Sequence, residues 1–219
     1  MKSLHSWKVD VQKAIQIQED LRGRLILKKT FSEVRTIGGG DVTYLKNRNL
    51  LLGAIVVLSF PGMETIDIAM AYGKIPFPYI PGLLSFREGP ILIQIFDKLK
   101  VKPDIMVFDG QGIAHPRRFG LASHLGLWFD LPSIGCAKTP LLEGFISPGA
   151  SKGSFELIRR DGKEVGAVLR TKDNVKPLFI SPGHRIDLQT SIQLILESCQ
   201  GFRFPEPLRK AHQATRNVL

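Results

Sequence analysis

The chain has 219 residues, of which 43% are hydrophobic and 23% charged, and its 30 Lys and Arg outnumber its 20 Asp and Glu for a formal net charge of +10. This composition suits a globular protein with a full hydrophobic core, and the positive surplus is equally typical of a nucleic-acid partner and of simple solubility charge. Two isolated cysteines, Cys136 and Cys199, exclude a disulfide framework and a zinc site, and the chain lacks both a signal peptide and an apolar run long enough for a bilayer, so we expect a cytoplasmic protein without membrane association.

The first half of the chain predicts a helix followed by an antiparallel meander. Apolar residues at helical spacing predict an amphipathic helix over about residues 9–27. Three strand-like runs follow at residues 34–44, 50–60 and 64–73, separated by turn residues. After a proline-rich segment, a second helix is predicted over residues 83–99.

The second half predicts alternating strands and helices. Short apolar runs at 104–108 and 133–138 are typical of buried strands, with a helix expected between them at 121–129. A hairpin is predicted around Asp161-Gly162, a further strand at 178–180, and helices at 187–199 and 206–218. The whole order predicts an α/β fold, with one mixed sheet of an antiparallel meander plus parallel strands flanked by helices, in a single domain spanning residues 1–219.

Three acidic residues stand out by their context. Asp41 follows three glycines inside the first strand, where glycines indicate close approach of another backbone or a ligand. Asp109 follows a buried strand, at the carboxyl end where open α/β sheets bind ligands. Glu88 lies on the same helical face as the apolar residues Leu92 and Ile95. If the first strand neighbours the 104–108 strand, these three carboxylates converge.

Clustered carboxylates repel one another, and a hard divalent cation such as Mg²⁺ relieves that repulsion. Two such ions can stabilise both the attacking and the leaving oxygen of a phosphodiester cleavage. Each acid also has a structural alternative: Asp41 as a bulge residue, Asp109 as a loop cap, and Glu88 as an ion-pair partner of Arg87 or Arg117. The three acids together, in a basic protein, favour the metal site.

Three further side chains, Lys138, His115 and His212, have two interpretations each. Lys138 ends a strand at the same sheet edge as Asp109 and would hold the scissile phosphate or the attacking water, unless it is a surface lysine. His115 would contact phosphate or stabilise its own loop. His212 would complete the metal shell or lie on the surface, whereas His124, within an apolar helix, is predicted to be a core histidine.

Tyr79 stands between prolines just before the second predicted helix. Proteins that disturb a duplex insert aromatic wedges between base steps, although an aromatic beside prolines also packs commonly into its own loop. The neighbouring glycines Gly82 and Gly110 would let backbone groups approach a planar ligand closely.

These motifs together resemble the endonuclease V family over essentially the whole chain. The motifs that carry the resemblance are Gly40-Asp41-Val42-Thr43, Phe77-Pro78-Tyr79-Ile80-Pro81-Gly82, Phe86-Arg87-Glu88-Gly89-Pro90, Phe108-Asp109-Gly110-Gln111-Gly112, Ala114-His115-Pro116-Arg117, Ala137-Lys138 and, more loosely, the region around Ala211-His212. The resemblance implies an RNase H-like fold and a DNA-repair endonuclease that uses Mg²⁺, with Mn²⁺ as a substitute. It implies hydrolysis of the second phosphodiester bond 3′ to a deoxyinosine, leaving 3′-hydroxyl and 5′-phosphate ends.

The resemblance also implies roles for individual residues. Asp41, Glu88 and Asp109 match the catalytic carboxylates and metal ligands, with His212 near the metal, and Lys138 and His115 match positions near the cleaved strand. The residues implied in DNA binding are Tyr79, which fills the gap left by the extruded base, and Pro78, Ile80, Pro81 and Arg87. A pocket for the extruded base is implied at Gly82, Leu84, Gly110 and Leu121. The partner is damaged DNA containing deoxyinosine, with inosine-containing RNA as a second expected partner of a monomeric enzyme.

Two other functions stay open from the sequence alone. Another RNase H-like nuclease, such as an RNA–DNA hybrid hydrolase or a junction resolvase, would share the carboxylates but have no use for the Tyr79 wedge. A non-catalytic nucleic-acid-binding domain would account for the basic charge but not for three convergent acids beside bound phosphate.

Overall fold

The computed structural model describes residues 3–217 and contains a mixed sheet with helices on both faces. The strands are β1 (Thr36–Leu45), β2 (Leu50–Ser59), β3 (Thr65–Lys74), β4 (Ile105–Phe108), β5 (Ser133–Ala137), β6 (Phe155–Arg160), β7 (Lys163–Leu169) and β8 (Leu178–His184). The helices are α1 (Val11–Arg22), α2 (Leu84–Lys98), α3 (Leu121–Phe129), α4 (Leu188–Ser198) and α5 (Glu206–Arg216). The strands form one eight-stranded sheet in the order β3-β2-β1-β4-β5-β8-β7-β6, which confirms the predicted fold class.

The strand register brings two of the predicted acids to the same edge of the sheet. β1 pairs with β2 in antiparallel fashion and with β4 in parallel fashion, with Gly40 opposite Phe108. β5 is parallel to β4 on its other side. Asp41 and Asp109 therefore follow paired positions of neighbouring strands, and Lys138 follows the end of β5 at the same edge of the sheet.

The three glycines of β1 are explained by what packs against the strand. A Cβ atom on Gly39 would lie 2.1 Å from the carbonyl oxygen of Pro207, in the first turn of α5. A Cβ atom on Gly40 would lie 3.1 Å from the ring of Phe108. The predicted close approach of another backbone is therefore confirmed, and it places α5, with His212, directly against β1.

The core lies on both faces of the sheet. One apolar cluster joins the central strands to α4 and α5, and a second joins them to α2 and α3. A third cluster packs α1 against the beginning of α2 and against α3. The side chains of β2 alternate between the first two clusters, which explains why that strand is apolar along its whole length.

Several predicted boundaries differ from the observed ones. α1 ends at Arg22 rather than near residue 27, because the chain leaves the helix at Gly23. Val11, expected on the apolar stripe of this helix, is 38% exposed. β8 extends to His184 rather than to residue 180, because it pairs with β5 along that length. The expected end of the last helix, residue 218, lies outside the described residues.

Within residues 3–217, no helix combines the length and the apolar composition needed to cross a membrane.

Candidate active site

Three acidic side chains lie around one cavity at the edge of the sheet. Asp41 comes from β1, Asp109 follows β4, and Glu88 comes from the second turn of α2, and all three line the cavity. The face of α2 that carries Glu88 is the buried one, because Leu92, at 0% exposure, follows it at helical spacing. The predicted convergence of the three acids is thus what the structure contains.

Burial, and to a smaller degree the neighbouring negative charges, raises the pKa values of two of the carboxylates. The pKa of Glu88 is raised well above its ordinary value, first by burial and then by the negative charges of Asp41 and Asp109, while Arg87 opposes the shift. The pKa of Asp109 is also raised, mainly by burial, although Lys138 acts in the opposite direction. Close negative charges in a partly dry site favour binding of a cation.

Asp41 is held by two residues of α5. His212 Nδ1–H donates to Asp41 Oδ2 over 3.0 Å, and the hydroxyl of Thr215, one helical turn later, lies 3.4 Å from the same oxygen. Thr215 is buried and its hydroxyl also lies 3.0 Å from that of Thr43 on β1. The structure therefore brings His212 to the acidic cluster, and it adds Thr215, which sequence reasoning missed.

Lys138 forms an ion pair with Asp109, the acid that follows β4. Its Nζ donates to Asp109 Oδ2 over 2.7 Å, and the ammonium also lies 4.8 Å from the centre of the Phe204 ring. Since one face of the lysine is held by a carboxylate and another by an aromatic ring, its position is fixed despite its exposure. This geometry favours a role in the site over the alternative of a free surface lysine.

The arginines proposed as ion-pair partners of Glu88 are engaged elsewhere. Arg87 donates to the carbonyl oxygen of Phe77 over 3.1 Å, with its guanidinium 5.2 Å from the ring centre of Tyr44. Arg117 donates to the carbonyl oxygen of Gly82 over 2.8 Å. The geometry therefore favours the metal hypothesis for Glu88 over the ion-pair alternative.

The acids fit a hard divalent cation without forming a closed cage. No three Asp, Glu, His or Cys side chains within the described part of the chain stand together as a ready ligand set. Mg²⁺ does not require one, because it keeps several waters and binds through one or two carboxylates plus substrate phosphates. The mutual repulsion that raises the pKa of Glu88 is the observation that supports the fit.

The cavity that holds the acids extends to the proposed base pocket. It has a volume of about 320 Å³, and its lining also includes the four residues predicted for an extruded base, Gly82, Leu84, Gly110 and Leu121. Leu84 begins α2, and Leu83 before it makes no side-chain capping hydrogen bond. No side chain of Leu83 therefore caps the first amide groups of this helix. These amides could donate hydrogen bonds to an acceptor atom of a ligand in the cavity.

Tyr79 lies at the rim of this cavity. Its side chain is 69% exposed, whereas Phe77, two residues earlier, is 4% exposed. Ile80 packs against the apolar cluster that contains Phe77 and also lines the cavity together with Pro81. The exposed tyrosine is therefore held on an anchored base, which argues against the alternative that it packs into its loop. Pro78 is exposed and, like Arg87, lies outside the cavity lining.

A hydrogen-bond network that sequence reasoning missed surrounds the carbonyl oxygen of Gly82. This oxygen accepts from Gln18 Nε2 at 2.9 Å, from His115 Nε2 at 2.9 Å and from a terminal nitrogen of Arg117 at 2.8 Å. Gln18 also donates to the Phe119 carbonyl over 3.0 Å and accepts from Arg117 Nε over 2.6 Å. The network fixes the turn at Gly82, whose φ of +81° is readily adopted only by glycine.

His115 belongs to this network, and it also lines the cavity. Its ring is 2% exposed, its Nε2–H donates to Gly82, and its Nδ1 accepts from the Arg117 amide over 3.1 Å. Burial lowers the pKa of His115 to about 4, so the ring is neutral near pH 7. The predicted contact with phosphate does not follow from this placement, because a buried neutral ring with both nitrogens engaged instead fits the loop-stabilising alternative.

His124 is a core histidine, as predicted. It is fully buried, its Nδ1 lies 2.9 Å from the Ser85 hydroxyl, and its Nε2 lies 2.6 Å from His5 Nε2. Burial, together with the nearby His5, lowers its pKa well below the ordinary value.

Comparison with known proteins identifies relatives over nearly the entire chain. The family model described as Endonuclease V matches residues 19–213. A protein named Endonuclease V from Dictyoglomus turgidum is 49% identical over 208 residues, covering 95% of this chain and 90% of that protein.

Solved structures show the same similarity in three dimensions. The crystal structure of endonuclease V from Streptomyces avermitilis superposes with a TM-score of 0.91 at 40% identity, covering 97% of this chain and 94% of that one. Endonuclease V from Ciona intestinalis, in complex with a 24mer DNA containing an inosine followed by a ribo-adenosine, superposes with a TM-score of 0.85 at 29% identity, covering 95% and 97% of the two chains.

Proposed function

Because the chain belongs to the endonuclease V family, we propose that it is a divalent-metal-dependent endonuclease that hydrolyses a DNA strand next to a deoxyinosine. The observation that carries the proposal is a single cavity with two chemically different ends. Its acidic end is lined by Asp41, Glu88 and Asp109, and its lining around Gly82 contains the residues predicted for an extruded base, with the 69% exposed Tyr79 beside them.

The acidic end is suited to phosphodiester hydrolysis. Asp41 and Asp109 would hold Mg²⁺, or Mn²⁺ as a substitute, with Glu88 as the third carboxylate and His212 fixing the orientation of Asp41. The bound cation would supply charge neutralisation at the phosphate and activation of water. Lys138, already directed at Asp109 over 2.7 Å, would hold the scissile phosphate or the attacking water. No covalent nucleophile is required.

The other end of the cavity is suited to one extruded purine. Hypoxanthine presents an acceptor at O6 and a donor at N1, and it lacks the 2-amino group of guanine. Backbone groups near Gly82, Leu84 and Gly110, which line the cavity, would donate to O6, accept from N1–H and exclude the 2-amino group of guanine. Tyr79 would fill the gap that the extruded base leaves in the stack.

The finer features of the reaction follow the family resemblance. We propose cleavage of the second phosphodiester bond 3′ to the deoxyinosine, with a 3′-hydroxyl and a 5′-phosphate as products, in DNA repair by a monomer. Inosine in RNA is a second substrate of the same chemistry, because the proposed base contacts do not involve the sugar.

A nicking assay tests this function. Matched DNA and RNA strands that carry inosine, adenine or uracil at one position are incubated with Mg²⁺, with Mn²⁺ and without divalent cation. We expect cutting only of inosine strands and only with a cation, at one position 3′ to the inosine. Metal-independent cutting, or equal cutting of adenine strands, would overturn the proposal.

A Tyr79→Ala variant separates this function from that of another RNase H-like nuclease. We expect the variant to lose about tenfold in nicking of inosine within a duplex, because one stacking contact is worth roughly 1–3 kcal/mol. Unchanged preference for inosine in the variant would favour a nuclease that does not extrude a base.

A further inference from the structure

The segment between α4 and α5, residues 200–205, carries two aromatic rings with cations against them. Lys138 Nζ lies 4.8 Å and the Arg203 guanidinium 5.4 Å from the ring centre of Phe204. The Arg209 guanidinium, from α5, lies 4.2 Å from the ring centre of Phe202. Alternating cations and aromatic rings are typical of surfaces that bind single-stranded nucleic acid.

Phe202 is exposed although the segment that carries it is firmly anchored. Its side chain is 49% exposed. The next residue, Arg203, donates through Nε to Lys176 O over 2.6 Å and through a terminal nitrogen to Pro177 O over 2.9 Å, and its own carbonyl accepts from the Thr171 hydroxyl over 2.6 Å. An exposed ring on a fixed backbone loses little freedom on binding, which favours recognition.

Arg209 is equally well oriented. Its Nε and a terminal nitrogen donate to the two oxygens of Glu206, each over 2.8 Å, and the Glu206 side chain is buried. The guanidinium is thereby held in one plane over the Phe202 ring. The pair presents an aromatic face with a positive charge beside it, a combination that suits a nucleobase and its phosphate better than an apolar protein surface.

The segment adjoins the acidic end of the cavity. Lys138 bridges the two, because its Nζ lies 2.7 Å from Asp109 Oδ2 and 4.8 Å from the Phe204 ring. A strand whose phosphate lies at Asp109 would therefore pass next to residues 200–205.

We propose that Phe202, together with Arg209, is a stacking platform for one unpaired base of the strand that is cut. The platform is separate from the pocket for the extruded base and lies beyond the Lys138 side of the cavity. The inference rests on the proposed function for the identity of the strand, but stacking on Phe202 requires neither inosine nor cleavage.

A binding experiment with abasic sites tests the platform. Binding of labelled single strands is measured by fluorescence anisotropy without divalent cation. In one set of strands an abasic site is moved position by position around an inosine. In a second set it is moved in the same way around an adenine. For the wild-type chain we expect one position, the same in both sets, at which loss of the base weakens binding about tenfold. Phe202→Ala should bind the intact strands about tenfold more weakly and lose nothing further at that position.

Four comparisons exclude indirect effects. Phe202→Trp should restore binding, and Phe155→Ala, which removes a 38% exposed ring from β6 at the far edge of the sheet, should bind like the wild type. The salt dependence of binding should be unchanged in Phe202→Ala, because stacking releases no counterions. An unchanged melting temperature shows that Phe202→Ala is folded.

Either of two results would overturn the platform. One is that Phe202→Ala binds as tightly as the wild type, and the other is that its loss is equal at every abasic position. Failure of the proposed function has a different signature, since it removes inosine-dependent nicking and leaves the adenine set of binding measurements unaffected.

Discussion

The two ends of the cavity are built in opposite ways. At the acidic end, Asp41, Glu88 and Asp109 bring negative charges together, and the pKa values of Glu88 and Asp109 are raised, first by burial and to a smaller degree by these charges. At the other end, the Gly82 carbonyl accepts three hydrogen bonds of 2.8 to 2.9 Å. One end keeps charges that need a cation, and at the other the Gly82 carbonyl already has its hydrogen bonds.

This difference separates two tasks within one site. Repulsion between the carboxylates lowers the stability of the folded protein, and binding of a cation restores it. The acidic end is therefore suited to catalysis rather than to stabilising the fold. A saturated carbonyl cannot accept from a ligand without losing a partner, so the Gly82 network is suited to fixing the shape of the slot. Substitutions at the two ends should therefore have different consequences.

The largest expected effect is on catalysis, at the acidic end. Asp109→Asn removes a carboxylate that would bind the cation, and it weakens the interaction of this side chain with Lys138. We expect nicking of an inosine strand to fall by at least about 1,000-fold, because electrostatic stabilisation of the transition state is commonly worth that much. Single-turnover nicking with Mg²⁺ measures the change, and the melting temperature should stay close to that of the wild type.

The matched control is Asp97→Asn, which makes the same exchange at an exposed position of α2. It should nick like the wild type. If Asp109→Asn kept more than a tenth of the wild-type rate, the acidic end would not be the cutting site.

The next effect is on stability, at the Gly82 end. Gln18→Leu removes one donor to Gly82, the donor to Phe119 and the acceptor of Arg117 Nε, all in a buried environment. Unpaired buried polar groups cost about 1–3 kcal/mol, so we expect the free energy of unfolding to fall by about 2 kcal/mol. The melting temperature of a chain of this size should fall by about 4–8 °C.

The same exchange on the exposed face of α1 serves as the control. Gln16 donates only to Asp20, over 2.7 Å, at the surface, so Gln16→Leu should change the free energy of unfolding by less than about 0.5 kcal/mol. Equal destabilisation by the two variants would mean that Gln18 contributes helix propensity rather than the network.

The sequence predicted the acidic end much better than the Gly82 end, for a physical reason. Asp41 lies within β1 and Asp109 follows β4, two strands whose pairing follows from topology, and Glu88 follows from helical spacing along α2. The Gly82 network joins Gln18 to a carbonyl 64 positions away, and no local pattern encodes that contact. One signal was available, because Gln18 lies four residues after the buried Ala14 and three before the buried Leu21, on the apolar face of α1.

Burial favours one of the alternatives that the sequence left open for His115 and for Tyr79. His115 had two interpretations of equal standing, and the 2% exposure of its ring favours the structural one. Tyr79 had two as well, and its 69% exposure favours the wedge. No sequence pattern pointed to Phe202. The role proposed for it depends on Arg209, which lies against its ring. The position of Arg209 follows only from the packing of α5 against β1.

The smallest expected effect is a gain in stability at Glu88, accompanied by a loss of catalysis. Glu88→Gln removes one of three repelling charges while keeping the shape of the side chain. Without divalent cation at pH 7, we expect the variant to be more stable than the wild type by about 1 kcal/mol, a typical gain when strain at an active site is relieved. Its nicking should be lost. Chemical denaturation and the nicking assay measure the two changes, with Glu197→Gln on the exposed side of α4 as a neutral control.

The pH dependence of this gain has a definite sign. The pKa of Glu88 in the native protein lies above its ordinary value of 4.5, so the native state binds the proton more tightly than the unfolded chain does. The wild type therefore loses stability as pH rises from about 4.5 through the raised pKa, and Glu88→Gln does not. The advantage of the variant should be absent below pH 4.5, grow above it and shrink when Mg²⁺ is added, because the cation stabilises mainly the wild type. A variant less stable than the wild type at pH 7 without cation would instead mean that Glu88 is already neutralised by a partner in the fold, and the opposition between the two ends of the cavity would no longer hold.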